Sequence, residues 1–213
     1  MSLIKKYFAN MGNPEGFIGK LILSGMNRGH AGMSKWGFSN WNIENHGDVL
    51  DIGCGGGANL ARWLNLLPNG TVTGFDYSPV SVTKSRELNK KAIRQGRCQV
   101  VEGNVRRLPV EDSSFDYVSA FETIYFWPEI EEAFKEVHRV LKCGGSFFIC
   151  NEVDGAKVSD AKWTNIMDGM TIYSEVEIKH LLEQAGFCDI QICHHKRGWI
   201  SLSAVKAEKE NCV

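Results

Sequence analysis

The sequence predicts an α/β fold: a doubly wound, mostly parallel sheet of seven strands that ends in an antiparallel hairpin. Three observations carry that prediction. Short runs of strand formers (Val49–Ile52, Thr71–Phe75, Gln99–Glu102, Ser113–Phe121 with its leading turn, and Ser146–Cys150) alternate with segments of helical period, the pattern of a parallel sheet covered by helices. A glycine turn, Gly53–Gly57, follows the first strand and opens a helix. Two closing strands, Cys188–His194 and Trp199–Val205, are joined around Lys196-Arg197-Gly198, a link too tight for anything but an antiparallel pair.

Composition narrows the function classes. The chain has 213 residues, 43% hydrophobic and 23% charged, enough for one well-cored soluble domain. We divide it into an N-terminal cap segment, 1–47, a main domain, 48–206, and a short tail, 207–213. A net charge of −1 leaves no electrostatic footprint for nucleic acid or an anionic membrane. No apolar run is long enough to span a bilayer, and Lys5-Lys6 is followed by no apolar leader. Seven cysteines without any Cys-x-x-Cys spacing read as reduced thiols in a cytoplasmic protein rather than a disulfide frame or zinc site. His194-His195 has no partner at ligand spacing, so no metal is expected. A monomer or homodimer is expected.

The first 47 residues are apolar and glycine-punctuated. Asn13-Pro14-Glu15-Gly16 signals a turn, and Phe17, Ile18, Leu21 and Ile22 make one apolar helix face. Gly25, Gly29, Gly32 and Gly37 then interrupt a stretch holding His30, Met33, Trp36, Phe38 and Trp41. This segment either covers the core or caps a pocket, in which case His30 and Trp36 contribute to the pocket wall.

The stretch Val49-Leu50-Asp51-Ile52-Gly53-Cys54-Gly55-Gly56-Gly57 organises the rest. Its glycines let the backbone turn sharply and approach a ligand, and Leu60, Ala61, Leu64 and Leu67 follow at helical spacing. Gly53-x-Gly55-x-x-Ala58 satisfies the loose dinucleotide fingerprint, a weak signal by itself. Asp51 argues against a pyrophosphate, because a carboxylate at the strand end would repel it. A ligand with an ammonium group and no phosphate fits better. S-adenosylmethionine is such a ligand, and Asp51–Gly57 resembles the first motif of class I S-adenosylmethionine-dependent methyltransferases, which have a Rossmann-like fold.

Downstream elements follow in order. After the turn Pro68-Asn69-Gly70, the second strand ends at Asp76, placed to accept from ribose hydroxyls; Tyr77 is positioned for the adenine. Ser78-Pro79 is an N-cap with proline at the first helical position. The third strand leads to Asn104-Val105. In similar methyltransferases an acid at this turn accepts from the adenine amino group; an asparagine oxygen can still accept, although asparagine also serves turns. The fourth strand delivers Glu122-Thr123-Ile124-Tyr125-Phe126-Trp127-Pro128 to the carboxyl edge of the sheet, where ligands bind. Glu122 is therefore a cofactor-side residue, and Tyr125 and Trp127 either wall the acceptor site or simply pack. Ile130, Ala133, Phe134, Val137 and Leu141 form the next helix stripe, with His138 expected as a helix-end cation and Gly144 as the stop. Ser174-Glu175-Val176-Glu177 is a capping box.

The resemblance runs from about Gly47 to Val205 and is strongest at Asp51–Gly57, Asp76–Pro79 and Arg139–Gly145, where Cys143 stands in place of the usual proline. With Met26–His30, Trp36-Gly37 and Phe121–Pro128, the chain resembles a bacterial small-molecule-type subgroup. The resemblance implies methyl transfer from S-adenosylmethionine, leaving S-adenosylhomocysteine, to a small-molecule acceptor. It implies a cofactor held by Asp51, Gly53, Cys54, Gly55, Gly57, Asp76, Tyr77, Asn104, Val105 and Glu122. Substrate contacts are expected from His30, Trp36, Tyr125 and Trp127. No residue is assigned as catalytic, because no triad points to a base. Two alternatives stand beside this: an NAD(P)-dependent oxidoreductase and a catalytically silent S-adenosylmethionine-binding protein. Against the first, no tyrosine has a lysine four residues later.

Overall fold

The computed structural model describes residues 16–155, 161–167 and 169–207. Residues 1–15, with most of the expected first turn, and residues 208–213 of the tail lie outside it. So do the side chains of Phe17, Ile18, Leu21 and Ile22.

Two helices come first, α1 (Gly16–Gly29) and α2 (Ala31–Ser39), then β1 (Asp48–Ile52) and α3 (Ala58–Leu66). There follow β2 (Thr71–Asp76), α4 (Pro79–Leu88), α5 (Lys90–Arg94), β3 (Cys98–Glu102) and β4 (Phe115–Phe121). A 3-10 turn over Ile124–Phe126 leads to α6 (Ile130–Val140), β5 (Leu141–Asn151), α7 (Ala161–Ile166), α8 (Glu175–Gln184), β6 (Phe187–His194) and β7 (Ile200–Lys206). The seven strands form one sheet in the order β3-β2-β1-β4-β5-β7-β6. Strands β1 to β5 pair in parallel, and β7 inserts antiparallel between β5 and β6. This is the fold class expected.

Strand residues alternate between two cores, as the period of two requires. On one face, Leu50, Ile52, Val118, Phe147 and Ile149 pack on Ala133, Phe134 and Val137 of α6 and on Ile178 and Leu182 of α8. On the other, Val49, Val72, Val100, Phe148 and Cys150 meet Leu60, Trp63 and Leu67 from α3 and its end, Met33 of α2, and Trp41. The expected caps form. Ser78 Oγ accepts from Ser81 N with Pro79 inside the first turn, and Ser174 and Glu177 complete the capping box.

Two expectations change. Helix α6 ends at Val140, before Gly144, and the chain enters β5 directly. Gly144, at φ +76°, serves the bulge that shifts the β4–β5 register between Phe115 and Tyr117, a place where the left-handed region suits glycine. His138 does lie in the last turn of α6, but its surroundings disfavour the charge expected of it. Burial, and next the charge of Lys206, lower its pKa, and its ring packs edge-on against Phe187 at 5.2 Å.

Candidate active site

The sheet reverses its winding between β1 and β4, and a crevice opens there at the carboxyl ends of the strands. It holds a cavity of about 390 Å³, lined from β1 through the β4–α6 connection and closed on one side by α1 and α2.

The glycine turn forms its floor. Gly53 sits at φ +72°, where a Cβ would stand 2.6 Å from Thr123 Cβ; no other residue fits between the two loops. Gly57 is the left-handed N-cap of α3 at φ +78°, and a Cβ there would lie 2.6 Å from Asn89 Nδ2. The loop amides are largely engaged with β2. Gly53 N and Cys54 N both donate to the Phe75 carbonyl at 2.7 and 3.0 Å, and Gly55 N donates to Asp76 Oδ2 at 2.8 Å. The glycines therefore serve close approach and anchoring more than an open row of donors. Gly53, Cys54, Gly55 and Gly56 line the cavity; Gly57 stands behind them.

Asp76, Tyr77, Asn104 and Val105 line the cavity together at the ends of β2 and β3. Asp76 is buried, and its second oxygen accepts from Ser78 N at 2.9 Å. Burial raises its pKa, and the Ser78 and Gly55 amides oppose that rise. Asn104 Oδ1 accepts from Arg106 N at 3.0 Å, a turn role held while the residue faces the cavity.

Asp51 does not line the cavity. Its carboxyl is buried on the α3 face, where Oδ1 accepts from Ser119 Oγ at 2.6 Å, and Ser119 Oγ accepts from Trp63 Nε1 at 2.9 Å. Burial pushes Asp51 to about 7. An acid at a strand end can point either way, and here the second core takes it. The cation that does reach the wall is Arg62, whose Nη1 donates to Asn59 Oδ1 at 2.9 Å.

Glu122, Thr123, Phe126 and Trp127 form the far wall, facing Leu23, Met26, Asn27, His30 and Ser34 from the two N-terminal helices. Glu122 adopts φ +56° and accepts from the Glu152 backbone amide and from Tyr125 OH, the latter at 3.1 Å. Burial, reinforced by the neighbouring Glu152 charge, raises Glu122 to about 8. Burial lowers His30, with Glu152 pulling the other way. Asn27 Nδ2 donates to Gly56 O at 3.1 Å, docking α1 on the glycine loop.

Two expected wall residues lie elsewhere. Trp36 is on the opposite side of α2, 5.3 Å from the His195 ring and 6.1 Å from Trp199. A helix turns about 100° per residue, so the face carrying His30 and Ser34 cannot also carry Trp36. Tyr125 is buried behind the wall, its hydroxyl donating to Glu122 and accepting from Val153 N at 3.2 Å. Leu23 and Arg62 join the wall with no role expected of them from the sequence, and Met26 and Asn27 join it from the Met26–His30 stretch, which carried the resemblance but no site role. Leu23 continues the apolar run of α1, and Arg62 follows Asn59 at a spacing that places both on one helix face.

Comparison with known proteins accords with this geometry. Residues 50–149 match the family described as "Methyltransferase domain". The chain is 30% identical over 149 residues to 24-methylenesterol C-methyltransferase 2 of Arabidopsis thaliana, covering 65% of this chain and 41% of that protein. It is 36% identical over 101 residues to cycloartenol-C-24-methyltransferase 1 of Oryza sativa subsp. japonica, covering 47% and 29%. The chain thus spans less than half the length of these relatives. Among solved structures, the methyltransferase in complex with the Haloferax volcanii Trm112 methyltransferase activator superposes with TM-score 0.80 at 20% identity, covering 89% of this chain and 94% of that one. Haemonchus contortus phosphoethanolamine N-methyltransferase 2, in complex with S-adenosyl-L-methionine, gives 0.72 at 16% identity, covering 83% and 53%. Residues 50–149 thus match a methyltransferase domain, and in strand order and glycine loop the chain is similar to the class I S-adenosylmethionine-dependent methyltransferases.

Proposed function

We propose that this chain transfers a methyl group from S-adenosylmethionine to a small acceptor with an apolar body. The observation that carries the reading is one continuous cavity. Its wall joins the Asp76–Tyr77 and Asn104–Val105 shelf to an apolar wall of Leu23, Met26, Phe121, Phe126 and Trp127.

The residues fit the cofactor. Asp76 is fixed by two backbone amides with its carboxylate on the cavity wall, as ribose hydroxyls require. Tyr77 and Val105 offer surfaces for the adenine, and Asn104 an amide for its edge. Arg62 suits a carboxylate, and Glu122 an ammonium or a hydroxyl. Bound there, S-adenosylmethionine supplies an electrophilic methyl group. The protein's contribution is then positional: holding the acceptor in line at contact distance supplies most of the rate in such a displacement. Helices α1 and α2 exclude water from the acceptor side, with Asn27 locking α1 to the glycine loop. The names of the curated relatives make an apolar terpenoid-like acceptor the first class to screen.

The test is ligand-dependent melting followed by transfer of labelled methyl to an acceptor panel. S-adenosylhomocysteine should raise the melting temperature and NAD should not. Stabilisation by NAD alone would overturn the reading in favour of an oxidoreductase. Cofactor binding with no transfer to any acceptor would favour a silent binding protein.

A further inference from the structure

The geometry points to a divalent metal site at the acceptor end of this cavity, formed by His30, Glu122 and Glu152. The three residues come from separate parts of the fold: the α1–α2 junction, the end of β4 and the end of β5. Each offers one ligand atom, and these atoms lie within 4.8 Å of one another. His30 Nε2 is 4.0 Å from Glu152 Oε2. Among the described residues, no lysine or arginine pairs with either carboxylate. Two acids and an imidazole thus converge, beside a cavity whose wall includes His30 and Glu122.

One nitrogen and two carboxylate oxygens suit Zn²⁺, Mn²⁺ or Fe²⁺. Metal–donor distances near 2.0–2.2 Å set donor–donor separations of roughly 3–3.5 Å, so the ligands must close by about 1 Å. Glu152 can make that movement, since its side chain is 36% exposed. Glu122 is already oriented by the Tyr125 hydroxyl and the Glu152 amide, the outer hydrogen bonding that ligating carboxylates require. This also accounts for Tyr125: it holds a ligand in place instead of touching the acceptor. Three protein ligands leave coordination positions open toward the cavity. An oxygen, nitrogen or sulfur of the acceptor would occupy one, a role that rests on the methyltransferase reading, whereas metal binding itself does not.

Titration calorimetry of the chelator-treated full chain with ZnCl2 and MnCl2 tests the site, with S-adenosylhomocysteine affinity measured in parallel. The expected result is one metal per chain, weakened at least 10-fold in both Glu152→Gln and His30→Ala. Because Glu152 lies outside the cavity wall, Glu152→Gln should keep S-adenosylhomocysteine affinity within about two-fold, which also certifies its fold. On the unaltered chain, the electron paramagnetic resonance of added Mn²⁺ should lose its free-ion signal at one equivalent. No metal binding by the unaltered chain, or binding equally strong in both variants, overturns the proposal. Loss of S-adenosylhomocysteine binding with metal binding intact would instead sink the cofactor reading.

Discussion

Asp76→Asn puts the cofactor shelf to its sharpest test. Asp76 accepts from Gly55 N through one oxygen and from Ser78 N through the other. Asparagine has a single oxygen, so whichever way its amide turns, one NH2 faces a backbone N–H. That conflict should cost about 1–3 kcal/mol of stability, and a chain of this length loses roughly 2–4 °C of melting temperature per kcal/mol. The cofactor ribose loses one charged acceptor as well. A hydrogen bond to a charged group contributes about 1.5–3 kcal/mol, and each 1.4 kcal/mol is about tenfold in affinity. The Kd for S-adenosylhomocysteine should therefore rise about 10- to 100-fold, read by calorimetry well below the melting temperature. A lowered melting temperature with unchanged Kd would show that Asp76 only anchors the glycine loop, and the assignment of the ribose to it would fail.

Asp51→Asn makes a pH-dependent prediction. Burial raises this acid from 3.8 to about 7 in the folded chain, so the native state holds a proton that the unfolded chain releases. The ionisation penalty is absent below about pH 4, grows as pH rises, and is complete above about pH 7. Asparagine carries none, so its stability relative to the unaltered chain should rise across that window, by at most about 4 kcal/mol. Urea unfolding at pH 4.5 and pH 8 reads the change; a constant difference would mean that Asp51 titrates normally. Asn104→Asp should bind S-adenosylhomocysteine as tightly or more tightly, because an ionised oxygen is the stronger acceptor and can still take the Arg106 amide; a large loss in calorimetry would mean that the asparagine NH2 donates a needed bond. Trp36→Ala should leave that Kd within two-fold while lowering the melting temperature, since its ring packs on His195 and Trp199; weakened cofactor binding would contradict its placement outside the cavity. Finally, S-adenosylhomocysteine should slow proteolysis within residues 16–39 more than in the β6–β7 hairpin, as mass-spectrometric mapping of early fragments would reveal; equal protection would make the two helices plain core covering.

Local chemistry settled the elements. Alternation of strand and helix periods, the Ser78-Pro79 start, the Ser174–Glu177 box and the tight Lys196–Gly198 link act over a few residues, so the sequence by itself determined seven strands, their helices and the closing antiparallel pair. The same holds for Gly53 and Gly57, whose positive φ angles only glycine adopts without strain, and for Asp76, placed by its strand end and held through one oxygen by the adjoining Ser78 amide. Tertiary structure decided which way the remaining side chains face. Asp51 stands on a strand that was expected and Trp36 on a helix, Ala31–Ser39, that the glycine-punctuated sequence did not announce, and each points to the far side. Direction at a strand end or around a helix follows from which neighbour is buried there, Ser119 and Trp63 in one case and Trp199 in the other. The convergence of His30, Glu122 and Glu152 is of the same kind: residues remote in the chain meet because β4 and β5 are neighbours and α1–α2 folds back over their ends. No local pattern encodes that meeting, since it is set by strand order and by the packing of Met33 and Leu23 beneath the helices.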